Sequence, residues 1–327
     1  MTAPQYEVDP EFSASVTERL AAIEARLTDA ARAETEFVTE AASHIIAAGG
    51  KRFRPLLVVL ASKLLRGADA DRVDRAAVVM ELTHVASLYH DDVMDEAEVR
   101  RAAPSANARW DNTVAILVGD FLFSKASSTV ATLGPEYVLL QAETFARLVQ
   151  GQIAETRGPL PGSDRLEHYL NVVADKTGSL IAASARFGGM VCGASVDIQD
   201  ALARYGEEIG VVFQLSDDIL DIASDTSGKR PGTDLREGVL TLPTLMVAAS
   251  TDPADARLRD LVSRPLTDED EVAEALALLR AHPLLQAARD EIARRAEVAR
   301  GYLAPLPEGD AKDALAALCD QVVSRSV

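Results

Sequence analysis

Asp91-Asp92-Val93-Met94-Asp95 and Asp217-Asp218-Ile219-Leu220-Asp221 are two copies of one short pattern, with carboxylates at i, i+1 and i+4. On an α-helix three such side chains fall within roughly 100° of arc. Like charges that close destabilise a helix, so each cluster calls for a cation. The donors are all oxygens, which suits hard divalent ions. Two such helices facing each other are expected to hold Mg²⁺ around a polyphosphate.

The rest of the chain is consistent with a helical setting. Of its 327 residues 48% are apolar and only 5% aromatic, with Ala, Leu, Val and Glu prominent and β-branched runs short. That composition predicts an all-α fold in one domain spanning 1–327. The net charge of −18 argues against nucleic acid and anionic membrane as partners, away from local basic patches. Two cysteines, Cys192 and Cys319, give neither a disulfide framework nor a zinc site. Residues 1–12 read as a loose arm without the layout of a signal peptide. No apolar stretch is read as transmembrane, Pro55–Ala61 being among the longest, and a cytoplasmic protein is expected.

Helical periodicity runs through 13–48 to Gly49-Gly50, then through about 55–66, 72–95, 112–133, 137–157, 164–192 with a break at Gly188-Gly189, and 198–222. Ser224–Pro243, rich in Gly, Pro, Asp and Thr, is the longest irregular stretch and is expected to be functional. The remainder is helical, with breaks near 263–268, 282–283 and 305–309.

Basic residues group beside the acidic clusters. Lys51-Arg52-Phe53-Arg54 follows the glycine pair, and Arg100-Arg101 follow the first Asp cluster, close enough to clamp a phosphate held there. His84 shares a helical stripe with Asp91 and Asp95 and has either of two uses, an anion contact or a satisfied core position. Lys229, Arg230 and Arg236 lie in the glycine-rich stretch after the second cluster, which could close over a phosphorylated substrate and exclude water.

Five separated segments make the pattern specific. Gly49-Gly50-Lys51-Arg52-Phe53-Arg54-Pro55, His90–Asp95 with Arg100-Arg101, Lys176-Thr177, Phe213–Asp221 and Gly228-Lys229 resemble, in type and order, those of trans-isoprenyl diphosphate (polyprenyl) synthases. The resemblance implies an all-α bundle around a deep central cavity, usually homodimeric, taking isopentenyl diphosphate and an allylic diphosphate. It implies Asp91, Asp95 and Asp217 as Mg²⁺ ligands, supported by Asp92, Asp218 and Asp221, with three ions per loaded site. It assigns Lys51, Arg54, His84 and Arg101 to isopentenyl diphosphate. Arg100, Lys176, Thr177, Gln214 and Lys229 go to the allylic diphosphate. One departure is visible: many members carry a lysine where this chain has Val239, before Thr241-Leu242-Pro243, and Arg236 is out of register with it.

The implied chemistry is ionisation of an allylic diphosphate, attack by the double bond of isopentenyl diphosphate, and proton loss, repeated to an all-trans product. Product length in the family depends on the fifth residue before the first Asp, here Ala86; helical geometry points instead to its neighbour Ser87. Both are small, which leaves a tunnel open and predicts a product of about C35 to C50, with peripheral membrane contact for its release. A short-chain synthase is the nearer alternative. A class I terpene cyclase lacks the Lys51–Arg54 anchor, and non-catalytic subunits tend to lose one Asp motif. Ala86→Phe is expected to shorten the product, as read by mass analysis after labelling with isopentenyl diphosphate; unchanged chain length would remove residue 86 as the determinant.

Overall fold

Short polar side chains start the helices, and a computed structural model describes residues 9–223 and 231–325 of the chain. In chain order the elements are α1 Pro10–Ala30, α2 Glu36–Ala47, α3 Phe53–Ser62, α4 Ala70–Met94, β1 Val99–Arg100, β2 Ala103–Pro104, α5 Ala106–Arg109, α6 Asn112–Ala131 and α7 Pro135–Arg157. They continue with α8 Arg165–Val173, α9 Ser179–Val191, α10 Val196–Ala223, α11 Thr233–Glu237, α12 Leu242–Ala248, α13 Ala256–Val262, α14 Glu269–Ala281, α15 Pro283–Gly301 and α16 Asp310–Ser324. Among the described residues the two-residue antiparallel pair β1–β2 is the only sheet, so the all-α expectation holds.

Capping explains where several helices begin. The Asp9, Asp69, Asp111 and Asp164 carboxylates accept from the N–H groups of Phe12, Arg72, Val114 and Leu166, and Pro10 takes the first position of α1. Pro10–Phe12 are therefore helical, and the expected arm is shorter than 1–12; residues 1–8 lie outside the described part. The single helix expected over 13–48 is two. Thr35 caps α2 through Val38 N–H, and the Thr39 hydroxyl ties Ala33 into the connection.

The described residues divide into two compact units. One takes Met1–Ala146, Leu180–Gly206 and Leu303–Ala317. There α4 packs most extensively on α6 and also on α1 and α3. Leu57, Leu60, Met80, Leu82, Tyr89, Leu122 and Phe187 are fully enclosed. Tyr205 donates from its buried hydroxyl to Leu315 O at 2.7 Å. The other unit takes Arg147–Ser179, Glu207–Tyr302 and Leu318–Val327. In it α12 lies against α8, α13 and α15, over buried Val212, Ile219, Val247, Leu261 and Ile292.

Gly188 and Gly189 do not interrupt a helix. They sit inside α9, and their missing side chains let it approach its neighbours. A Cβ on Gly188 would stand 2.5 Å from Val58 O and 2.6 Å from Ala61 Cβ, and one on Gly189 2.7 Å from Leu202 Cδ1. The interruption falls instead at Ala174–Gly178, a π-helical turn between α8 and α9. The glycine-rich stretch carries α11 and the start of α12; residues 224–230 are not described.

The expectation that no segment is apolar enough to span a membrane needs correction. Asn112–Ala131, which is α6, is long and apolar enough by length and composition alone. Part of that apolar surface is buried against α4; Ile116 and Leu117 remain exposed at 43% and 60%.

Gly188→Ala is expected to destabilise the protein by about 1–3 kcal/mol through overpacking against the α3 backbone. Gly301→Ala, which meets nothing within 4 Å, is expected to be neutral or to gain up to about 1 kcal/mol of helix propensity. Chemical denaturation of both variants measures the contrast; equal effects would contradict the close approach.

Candidate active site

In the first unit the basic side chains of the glycine-pair loop separate into two roles. Arg52 stands at φ +48° just before α3, in a left-handed conformation that costs an ordinary residue on the order of 1 kcal/mol. Its guanidinium holds Glu24 through Nε and Nη2, both at 2.7 Å, Glu81 through Nη1 at 2.9 Å, and Ile46 O through Nη2 at 2.9 Å. Burial works against its charge, but Glu24 and Glu81 outweigh that and raise its pKa above the ordinary arginine value. Arg52 is thereby committed to the protein itself.

Arg54 is placed differently. Its Nε is fully enclosed and has no hydrogen-bond partner. Burial, opposed by attraction to Glu81 and reinforced by repulsion from Arg101, brings its pKa down to about 10. His84 lies in the same field: burial first, then Arg54, Arg101 and Arg100, push its pKa well below the ordinary value, so the imidazole is neutral. Arg101 donates through Nη1 to Ile45 O at 3.0 Å and to Gly49 O. Gly50 gives it room, since a Cβ there would come within 2.9 Å of the guanidinium. Burial lowers the Arg101 pKa too. Arg54 and Arg101, with neutral His84 between their fields, are buried cations only partly offset by Glu81, a setting that favours an incoming anion. Lys51, at the start of the same loop, is exposed.

The first acidic cluster closes α4. Asp95 caps the helix, its N–H bonded to Asp91 O at 2.8 Å, which keeps Asp91 and Asp95 one turn apart. Asp92 turns inward and is buried; Arg100 meets its Oδ1 through Nε at 2.6 Å and Nη2 at 2.5 Å. Its Oδ2 is enclosed without a partner, and burial raises the Asp92 pKa in spite of Arg100. Arg101 and Ala102 make the turn between β1 and β2, both with positive φ. With Arg52 and Glu96 they are the non-glycine residues in left-handed backbone among those described, and all four belong to this site. Strain of this kind persists where surrounding structure over-determines it. Ala86 and Ser87 are buried on α4, the Ser87 hydroxyl donating to His84 O at 2.8 Å.

In the second unit α10 carries Asp217, Asp218 and Asp221. Asp218 is buried; the Tyr169 hydroxyl donates to Oδ2 and Gln214 Nε2 to Oδ1 at 3.0 Å. Burial raises its pKa to about 6, with those two donors acting the other way. Asp221 receives the backbone N–H groups of Thr233 at 3.1 Å and Asp234 at 3.2 Å, fixing the start of α11. Thr177 Oγ1 donates to Gln214 Oε1 at 3.3 Å, and Lys176 Nζ lies 2.6 Å from Glu155. Lys176 and Thr177 both sit in the π turn, a distortion often found at functional sites. Gly151 admits that turn, since a Cβ there would come within 2.7 Å of Lys176 N. Arg147 holds it by pairing Asp175 at 2.6 Å with Glu207 at 2.6 Å. Lys229 lies outside the described residues. Arg236 is bound to Glu269 and Pro231 O, and Val239 is exposed, so neither stands in for the absent lysine.

Sequence reasoning missed Glu24, Glu81, Tyr169 and Arg147. Each acts by holding another site residue, Glu24, Tyr169 and Arg147 from helices without a motif and Glu81 from α4 well ahead of the Asp cluster, so spacing carries no signal for them.

Carboxylates suit Mg²⁺. Among the described residues no three acidic, His or Cys side chains form a ready cage. Mg²⁺ commonly takes one or two carboxylates and completes its shell with water and substrate phosphate, so exposed Asp95, half-buried Asp91 and the unpartnered Asp92 oxygen fit such an ion.

The family model for polyprenyl synthetase matches residues 35–279. The nonaprenyl diphosphate synthase of Mycobacterium tuberculosis (strain ATCC 25618 / H37Rv) is 50% identical over 97% of this chain and 95% of its own length. Two solved structures superpose with a TM-score of 0.87. One is the geranylgeranyl pyrophosphate synthase of Corynebacterium glutamicum complexed with calcium and isoprenyl diphosphate, 44% identical over 98% of this chain and 99% of that one. The other is a decaprenyl diphosphate synthase from Rhodobacter capsulatus, 32% identical over 97% and 99%. Fold, match and motif order lead to one conclusion: this chain belongs to the polyprenyl synthetase family and is a prenyltransferase.

Proposed function

We propose that the protein condenses isopentenyl diphosphate with an allylic diphosphate in successive head-to-tail steps to a long all-trans polyprenyl diphosphate. The observation that carries the reading is the Arg54–His84–Arg101 group, in which the buried Arg54 Nε has no hydrogen-bond partner and burial outweighs the attraction of Glu81. With Lys51 it would anchor the diphosphate of isopentenyl diphosphate, and neutral His84 would donate a hydrogen bond to it. Arg100, Lys176, Thr177, Gln214 and Lys229 are proposed for the allylic diphosphate. Asp91, Asp95 and Asp217 are the proposed Mg²⁺ ligands, for three ions, with Asp92, Asp218 and Asp221 in support. Bound Mg²⁺ supplies Lewis-acid stabilisation of the departing diphosphate. The side chains hold the reacting carbons together, and apolar walls exclude water from the allylic cation.

The long product is supported by small, buried Ala86 and Ser87 and by the nonaprenyl and decaprenyl relatives. The likeness to a geranylgeranyl pyrophosphate synthase favours a second reading, a C20 product. A homodimer is proposed on the exposed apolar side chains of α6 and of α7, where Leu139 is 60% exposed. The enzyme is further proposed to be cytoplasmic, as one catalytic domain with peripheral membrane contact when product leaves.

Product analysis by mass spectrometry tests chain length: C35–C50 is expected, and predominantly C15 or C20 would overturn it. Arg54→Gln is expected to raise KM for isopentenyl diphosphate about tenfold or more, as loss of a charge-assisted hydrogen bond does. The KM for the allylic primer should change far less. Equal effects on both substrates would contradict the assignment.

A further inference from the structure

Arg325, beyond the end of α16, is seated on the second acidic cluster. Its Nη2 donates to Asp217 Oδ1 at 2.6 Å. The guanidinium also lies 4.9 Å from the centre of the Phe213 ring. Phe213 precedes Asp217 by one helical turn, so one stripe of α10 offers the arginine both a ring and a carboxylate. The placement is built rather than incidental. α16 is anchored by buried Leu318, Cys319 and Val322 and by the pair between Asp320 and Arg300 at 2.5 Å.

The three carboxylates of this cluster are compensated in three ways. Asp218 receives Tyr169 and Gln214. Asp221 receives two backbone N–H groups. Asp217 receives Arg325. About a third of each partner of the Arg325–Asp217 pair is exposed, and a half-open pair of this sort holds weakly. A divalent ion at the same carboxylate would displace it.

We propose that Arg325 is a resident counter-cation which occupies Asp217 until Mg²⁺ binds, so that the end of α16 is a latch released by metal loading. The proposal rests on the reading of Asp217 as a metal ligand. It couples the end of α16 to the state of the second cluster. Metal binding must break the Arg325 contact, and loss of Arg325 must strengthen metal binding.

The test uses the full-length protein and Mn²⁺ as probe, with affinity read from water-proton relaxation. Arg325→Gln is expected to bind Mn²⁺ about two- to five-fold more tightly, the factor set by removing a weak competing pair. Arg294→Gln, which loses a pair to Glu291 elsewhere, should leave the affinity unchanged. In the unaltered protein Mg²⁺ should speed amide hydrogen exchange over 321–325. Unchanged or weaker Mn²⁺ binding by Arg325→Gln, with no effect of Mg²⁺ on exchange, overturns the latch. Asp217→Asn separates the two readings. If it binds Mn²⁺ like the parent protein, the ligand assignment of Asp217 fails and the latch with it. If it binds more weakly while Arg325→Gln gains nothing, the latch alone fails.

Discussion

The clamp of Arg52 on Glu24 and Glu81 is the interaction on which the arrangement around Arg54, His84 and Arg101 depends. It joins α1, α3 and α4 through one guanidinium and fixes the loop from Gly49 to Arg54 in a strained backbone. Breaking a buried pair of this kind leaves an uncompensated charge and is costly. Arg52 takes the hydrogen bonds of both glutamates, and for Arg54 and Arg101 burial outweighs the attraction of Glu81 and lowers the pKa. The protein thus separates a structural cation, Arg52, from Arg54 and Arg101, the cations proposed to meet the ligand.

The acidic clusters follow the same logic with the signs reversed. In each, an inward carboxylate is fixed by protein donors, Asp92 by Arg100 and Asp218 by Tyr169 and Gln214. That compensation lets like charges stand on adjacent helical positions. It also orients the outer carboxylates, Asp91, Asp95 and Asp217, which are not buried.

Much of this was legible in the sequence because helical spacing and charge type are local properties. The Asp patterns, the glycine pair before Lys51 and the breaks near 263–268 and 282–283 all read directly. The break between α1 and α2 was lost because Thr35 is an inconspicuous cap inside a run that keeps its apolar period. Gly188 and Gly189 read as a stop, yet their role is contact with α3 and α10, which depends on tertiary approach. The π turn under Lys176 is invisible for a similar reason: Gly151 and Arg147 pack against it from α7. The apolar length of α6 is hidden in the sequence because Asp120 and Lys125 interrupt its run, although their charges are diluted over its full length.

Charge separation of this kind makes a definite claim about where a ligand goes. Crystals grown with Mn²⁺ and diphosphate, with anomalous scattering to locate the metal, test it most directly. The account predicts manganese on Asp91 and Asp95 and on Asp217, and diphosphate on Arg54, His84 and Arg101, with Arg52 still bound to Glu24 and Glu81. Diphosphate held by Arg52, or manganese away from both Asp clusters, would contradict it.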